Sequence, residues 1–263
     1  MKYVLVTGAY GGMGKAVVRQ LRDAGYAVLA LDRQVGAEEE NIYPIQVDIT
    51  CEESLDKAFT QVEKITKELY AIVHFAGIYL LDSLVEIEGE RFYKAFDVNV
   101  FGPFRVNKKF LPLLKADSRI LLTTSELAPL DPLPFTGLYA ITKSALDKYA
   151  FSLRMELQLK GIKVSVLRPG AVSTGMLGVS TAELDRFCEG TRLYTCNAKR
   201  FKAIVGGVEA RQVSPEKVAK KTLKILKASR PRYVCKLNRN PLLLLLNLLP
   251  CRLQTWIIGK VLK

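Results

Sequence analysis

The chain has 263 residues, 49% hydrophobic and 25% charged, which suits one globular unit with a sizeable core and excludes a disordered or fibrous protein. Its formal net charge of +13 is unevenly placed, because residues 199–263 carry 16 Lys and Arg against Glu209 and Glu216 only, so the basic surface sits in the last quarter and faces something anionic. A single histidine, His74, cannot build a histidine-based metal site, and the five cysteines (51, 188, 196, 235, 251) form no C-x-x-C pair, so no metal is expected and reduced thiols in the cytoplasm are.

Tyr3-Val4-Leu5-Val6 reads as a buried strand, and Val17, Val18 and Leu21 share one face of the helical pattern behind it. Between them lies Thr7-Gly8-Ala9-Tyr10-Gly11-Gly12-Met13-Gly14. Glycines let the backbone turn tightly and approach phosphates, and a helix start presents free N–H groups and a positive dipole end. Gly8, Tyr10, Gly12, Met13 and Gly14 are therefore candidates to cradle a dinucleotide pyrophosphate. Gly25 ends the helix, and the strand Tyr26 to Leu31 delivers Asp32-Arg33. A carboxylate about 20 residues past the glycines can accept hydrogen bonds from both adenosine ribose hydroxyls. Such a group favours NAD, while Arg33 could pair with a 2′-phosphate and leaves NADP open.

A polar loop holds Glu38 to Glu40, and Pro44 to Val47 forms a short strand before Asp48 and Ile49. A helix from Glu52 to Lys67 and a strand Ala71-Ile72-Val73 follow. Strands alternating with helices at this spacing predict an α/β fold, a Rossmann-like doubly wound parallel sheet with helices on both faces. His74-Phe75-Ala76-Gly77 then stands at the ligand-facing edge, where the lone histidine is read as structural. A helix is predicted from Arg91 to Lys115, with Asn99 set among Phe96, Val98, Val100 and Phe101, where it bends the helix or holds a water. Strand Arg119 to Thr123 delivers Thr124-Ser125, and a loop with Pro129, Pro132 and Pro134 leads to a helix opening at Tyr139 and ending near Lys160.

Tyr139 and Lys143 are four apart, so they lie on one helix face a turn from each other. Free tyrosine titrates near about 10 and is a poor base, and an adjacent ammonium lowers that value enough for acid/base work. Ser125 can hydrogen-bond the same substrate oxygen.

Over nearly its whole length the chain resembles a short-chain dehydrogenase/reductase. The matched pieces are Thr7-Gly8-x-x-x-Gly12-x-Gly14, Asp32, Asp48, Ala76-Gly77, Asn99, Ser125, Tyr139-x-x-x-Lys143 and Arg168-Pro169-Gly170 through Thr174. The resemblance implies an NAD(P)-dependent oxidoreductase in which Tyr139 is the acid/base and Ser125 polarises the carbonyl or alcohol oxygen. Lys143 would bind the nicotinamide ribose and tune Tyr139, Asn99 would hold a relay water, and Asp48 beside Ile49 would meet the adenine. Pro169, Gly170, Val172 and Thr174 would border the nicotinamide, and dimers or tetramers are common. His74-Phe75 replace the family's usual Asn-Asn, and the His74 ring can supply one of the lost hydrogen bonds. The glycine spacing also fits the longer, extended branch, but the length, Asn99 and Gly12 favour the short one.

After Thr174, residues 175–205 take the place of a substrate lid in this fold. Ser214-Pro215-Glu216 is a helix start with a capping Ser, and Val218, Thr222, Ile225 and Leu226 are available to the core. A last strand, Arg232 to Cys235, precedes the tail 241–263, which is set apart from the sheet unit 1–240. Leu242 to Leu249 is apolar all round but for Asn247, so it is expected to be buried, self-associating or in lipid. Arg252 to Lys263 sets Leu253, Trp256, Ile257 and Val261 among Arg252, Lys260 and Lys263, the pattern of a helix lying in a membrane interface. Packing across the substrate mouth and a subunit contact are the alternatives. No apolar run reaches the roughly 18 residues of a bilayer span, and the first strand at residue 3 leaves no room for a leader. No nucleic-acid module is present. The tetrad and the apolar tail together point to a lipophilic secondary alcohol or ketone, steroid-, retinoid- or lipid-like. A carrier-bound 3-oxoacyl group, or a non-catalytic NAD(P) sensor at a membrane surface, is the alternative.

Overall fold

The structure, a computed structural model, describes residues 1–173, 175–208 and 212–263, with main chain only at 175–180 and 205–208. Seven strands form one parallel sheet: β1 Lys2–Thr7, β2 Tyr26–Asp32, β3 Ile42–Gln46, β4 Leu69–His74, β5 Leu114–Thr123, β6 Lys163–Pro169 and β7 Val234–Leu237, in the order β3-β2-β1-β4-β5-β6-β7. The helices are α1 Gly12–Asp23, α2 Glu52–Ile65, α3 Gly89–Phe96, α4 Gly102–Phe110, α5 Gly137–Leu157, α6 Gly175–Gly190, α7 Thr195–Val208, α8 Pro215–Lys227, α9 Pro241–Leu246 and α10 Cys251–Leu262.

Alternation along the strands decides which helices cover which face. Leu5, Leu29, Leu31, Ile72 and Ile120 pack with α2, α4 and α5 through Leu55, Val62, Phe110 and Leu146. Their neighbours Val4, Val6, Val28, Ala30 and Val73 turn the other way, onto Val17, Val18 and Leu21 of α1 and Val218, Ile225 and Leu226 of α8. With both faces sealed, each buried leucine of the sheet contributes about 2 kcal/mol. A third cluster, away from the sheet, joins Leu81 and Phe135 to Leu184, Phe187, Phe201 and Leu262 of the last helices.

The predicted helix 91–115 is broken. Its first part, α3, passes into a π-helical turn at Asp97–Phe101 that carries Asn99, then α4, and a 3-10 turn at Leu111–Leu113. Pro112, which has no N–H to donate, stands where the helix stops, and β5 therefore begins at Leu114, five residues before the predicted start. Residues 175–205 are largely helical, as α6 and most of α7. Ser214 does occupy the N-cap of α8, but its hydroxyl bonds the Glu216 carboxylate and not a helix amide. Cys188 and Cys196 are free thiols. The leucines of 242–249 are not buried: Leu242, Leu245 and Leu248 are exposed. Among the described residues no helix is long and apolar enough to cross a membrane.

His74 ends β4 fully inside the protein, 2% exposed. Its Nε2 lies 2.9 Å from Asn107 Oδ1 of α4, and Nδ1 lies 3.5 Å from Thr7 Oγ1. Asn107 in turn donates to the Tyr149 hydroxyl of α5, so the ring ties β1 and β4 to two helices. Burial disfavours the imidazolium and lowers the His74 pKa to about 4. In the unfolded chain the ring takes up its proton near 6.5, so between 6.5 and about 4 the unfolded state binds more protons than the folded one. Stability is therefore expected to fall as pH drops through that window, by up to about 3 kcal/mol. Melting temperature measured in steps from pH 7 to pH 4 is expected to show this loss, and His74→Asn to flatten it.

Candidate active site

The C-terminal ends of β1, β2 and β4 meet at one edge of the sheet, where the strand order reverses, and a cleft of about 930 Å³ opens there. Gly8 sits at φ +67°, a conformation that L side chains rarely adopt, and a Cβ there would strike the main chain of Phe75 and Ala76. A Cβ at Gly14 would strike the Gly8 carbonyl, so the turn closes onto the first turn of α1 only with glycine at both places. No side chain caps α1 and its first turn holds no acidic residue, which leaves its N–H groups for an anion. Asp32 is fixed beside this turn: Oδ2 accepts from Tyr10 N at 2.9 Å and Oδ1 from Arg33 N at 2.7 Å. Gly8, Gly12, Met13, Gly14, Asp32, Arg33, Asp48, Ile49, Ala76 and Gly77 all line the cleft. Tyr10 lies behind it, its ring packed over Gly36, where a Cβ would stand 2.7 Å from Tyr10 Cε1. Burial raises the Asp48 pKa, but hydrogen bonds from Thr50 and the nearby Arg33 and Lys94 outweigh it and hold the carboxylate ionised. The donor set, with an uncapped helix start, a fixed carboxylate and a glycine-walled floor, fits a dinucleotide.

Ser125, Tyr139, Lys143 and Asn99 converge next to this cleft from β5, α5 and the π-turn. The Ser125 hydroxyl hydrogen-bonds the Tyr139 phenol. Lys143 Nζ is 5.6 Å from the Tyr139 ring centroid and donates to Thr123 O at 3.2 Å. Asn99 Oδ1 accepts from Ile78 N at 2.8 Å, and Nδ2 donates to Ile78 O and to Thr142 Oγ1. Gly77 leaves the space between them: a Cβ there would be 3.1 Å from Asn99 Oδ1 and 3.4 Å from Lys143 Nζ. The π-turn therefore aims a buried amide at the chain following β4. The expectation that Lys143 lowers the Tyr139 pKa is corrected. Tyr139 keeps some exposed surface, but its hydroxyl is inside the protein, and desolvation pushes its pKa well above the ordinary tyrosine range. Burial of Lys143 lowers its own pKa from 10.5 to about 8, which corresponds to about 3 kcal/mol against the ammonium. At neutral pH the tyrosine is a phenol and the lysine is still charged.

Pro169 and Gly170 stand at the end of β6, beyond the cleft wall. Gly170 N donates to Leu237 O, and Asn238 O with Glu126 Oε1 fill the space a side chain would need. Val172 bridges to Val213. Thr174 lies outside the described residues.

Several residues that position the site carry no motif of their own. Tyr79 lines the cleft and places its ring 4.8 Å from that of Tyr139. Asp147, one turn beyond Lys143, accepts from Arg168 Nε at 2.9 Å and Nη2 at 2.6 Å and so holds α5 against β6. Over the cleft, Arg91 of α3 pairs with Glu183 of α6 at 2.6 Å, and Arg186 with Asp82 at 2.8 Å. The tail is tied to the loop after Ser125 and to α7. Asn240 N donates to Glu126 Oε2 at 2.6 Å, Asp131 N to Asn247 Oδ1 at 2.6 Å, and Asn197 Nδ2 of α7 to Leu262 O at 2.6 Å. A tyrosine in the loop after a strand, or a carboxylate inside a helix, gives no sign in the sequence of which partner the fold will bring.

Residues 2–185 match the short chain dehydrogenase family. Estradiol 17-beta-dehydrogenase 2 of Mus musculus is 38% identical over 189 residues, which cover 67% of this chain and 50% of that protein, so the chain matches only half of this relative's length. The uncharacterized oxidoreductase YbbO of Escherichia coli (strain K12) is 32% identical over 180 residues, 66% of each chain. The crystal structure of a short-chain dehydrogenase from Streptomyces avermitilis superposes with a TM-score of 0.75 at 22% identity, over 90% of this chain and 88% of that one, and shows the same fold. With a motif-bearing cleft at the sheet edge and a match across most of its length, the chain belongs to the short chain dehydrogenase family.

Proposed function

We propose that the protein is an NAD(P)-dependent oxidoreductase, NAD-preferring, that interconverts a lipophilic secondary alcohol and its ketone. The observation that carries this reading is the convergence of Ser125, Tyr139 and Lys143 beside a dinucleotide-shaped cleft. Gly8 to Gly14 would hold the pyrophosphate, Asp32 the adenosine ribose, and Lys143 the nicotinamide ribose. Bound NAD(P) supplies or accepts the hydride. The chain's residues handle the proton. The Tyr139 phenol gives its proton to the substrate oxygen in reduction, Ser125 donates to the same oxygen, and the Lys143 charge offsets part of the burial that disfavours the phenolate left behind. Asn99 positions this group by locking the chain after β4 to α5.

Three observations support the finer points. Both Asp32 oxygens already accept from main-chain N–H groups, so the carboxylate cannot swing away, and a 2′-phosphate would meet a fixed negative charge. Phe135, Phe187 and Phe201 pack together in an apolar cluster beneath the lid, and a relative named for estradiol favours a steroid-, retinoid- or lipid-like substrate. Exposed Phe104 on α4 and Phe151 and Met155 on α5 favour self-association, and the basic, Trp-bearing tail favours a cytoplasmic protein resting on an anionic membrane.

Turnover against pooled steroid, retinoid, acyl and simple ketones and alcohols, with both nicotinamide cofactors, tests the activity; a response confined to acyl substrates would favour a carrier-bound 3-oxoacyl group. Tyr139→Phe is expected to lower kcat by about 10³-fold with cofactor Kd unchanged, and full activity in that variant would remove the mechanism. Asp32→Ala is expected to raise KM for NAD and improve NADP, which parallel titrations of the two cofactors would measure. Since Lys143 loses its charge near pH 8 on the way up, ketone reduction is expected to be level from pH 6 to 7.5 and to fall about tenfold by pH 9. Alcohol oxidation, which needs the Tyr139 proton removed, is expected to rise over the same interval.

A further inference from the structure

We propose that the outer face of α9 and α10 docks on an anionic lipid bilayer and so holds the mouth of the active site against the lipid that carries the substrate. The second half of this rests on the lipophilic substrate proposed above; the docking does not. Leu242, Leu245 and Leu248 are 66%, 60% and 81% exposed, and Trp256 is 61% exposed. One exposed leucine is ordinary on a protein surface, but this many large apolar groups on two consecutive short helices and the turn between them is not.

Burial shows that α10 has two working faces. Leu262 is buried and Ile258 half-buried against the cluster of Leu184, Phe187 and Phe201, while Leu253 and Trp256 stay outside with Arg252, Lys260 and Lys263 around them. A bulky apolar centre ringed by cations suits the boundary between acyl chains and anionic headgroups. The charge is one-signed over a long stretch: between Glu216 and the end at Lys263 there are 12 Lys and Arg and no acidic residue. Arg239 acts on the Glu126 carboxylate, while among the described residues Arg252, Lys260 and Lys263 form no ion pairs. A second copy of the tail would bring the same cations against these, whereas an anionic surface neutralises them.

The tail is also fastened where it matters for access. Asn240 is bonded to Glu126, the residue after Ser125, and Asn247 to Asp131 in the loop that leads to Tyr139. Asn197 holds the end of α10 to α7. A membrane beneath α9 and α10 is therefore linked through the tail to both the loop after Ser125 and α7.

Trp256 is the chain's single tryptophan, so its emission reports this face directly. With the full chain and phosphatidylcholine vesicles containing phosphatidylglycerol, the expected result is co-sedimentation and a blue shift at low salt, both weakened by high salt. The Leu245→Glu/Leu248→Glu and Arg252→Glu/Lys260→Glu variants, checked for unchanged circular dichroism, are expected to lose both. Failure of the folded wild type to bind these vesicles overturns the proposal. So does a blue shift that follows protein concentration without lipid, which would make a second copy the occupant. These readouts need no turnover, so a silent substrate panel leaves them standing. For the active enzyme, Leu245→Glu/Leu248→Glu is expected to raise the apparent KM for a vesicle-dissolved ketone by about tenfold and to leave turnover of a water-soluble ketone unchanged. An equal effect on both substrates would overturn the link between docking and substrate supply.

Discussion

The parallel pairing of β1 with β2 on one side and β4 on the other is the constraint on which the rest depends. It sets Thr7 level with Leu31 and with His74, so the glycine turn, Asp32 and the Ala76-Gly77 segment leave the sheet at the same edge. A register slip of one residue would send Leu5 and its neighbours to the opposite face and move each of these groups along the edge. The sealed core on both faces makes such a slip costly. The chemistry can therefore sit on loops and helix ends that are themselves only locally held.

Around that edge the protein spends buried polar groups on alignment. His74 and Asn107 tie two strands to two helices, and Asp147 with Arg168 sets α5, and with it Tyr139 and Lys143, against β6. Asn99 makes its bonds because a π-turn, and not a regular helix, presents it to Ile78. Each pair is inside the protein, where breaking one partner leaves an uncompensated polar group. The catalytic pair shows the same economy in another form. Burial acts more strongly on Tyr139 and Lys143 than their mutual proximity does, and the outcome is a phenol that holds its proton beside an ammonium that gives its own up more readily.

The lid and the tail belong to one apolar cluster that the sheet does not touch. Leu81 and Phe135 anchor that cluster to the rest of the chain, and polar contacts surround it: Arg91 to Glu183, Arg186 to Asp82, Thr191 to Glu86, Asn240 to Glu126. The proposed bilayer contact would act on this cluster and reach the catalytic loop through it.

The motifs were legible in the sequence because each rests on a local rule. Glycines mark a turn, a four-residue spacing puts Tyr139 and Lys143 on one helix face, and alternation of short apolar runs with helical periods predicts the doubly wound sheet. Local rules could not say where the helix after Arg91 breaks, because the Asn99 turn exists for bonds to Ile78 and Thr142, about 20 and 40 residues away in the chain. Nor could they reveal Tyr79 or Asp147, whose roles come only from what the fold places opposite them. The shift of Tyr139 was misjudged from sequence for the same reason. Spacing reports a neighbour's charge, while desolvation depends on everything that surrounds the group in three dimensions, and that only the tertiary structure decides.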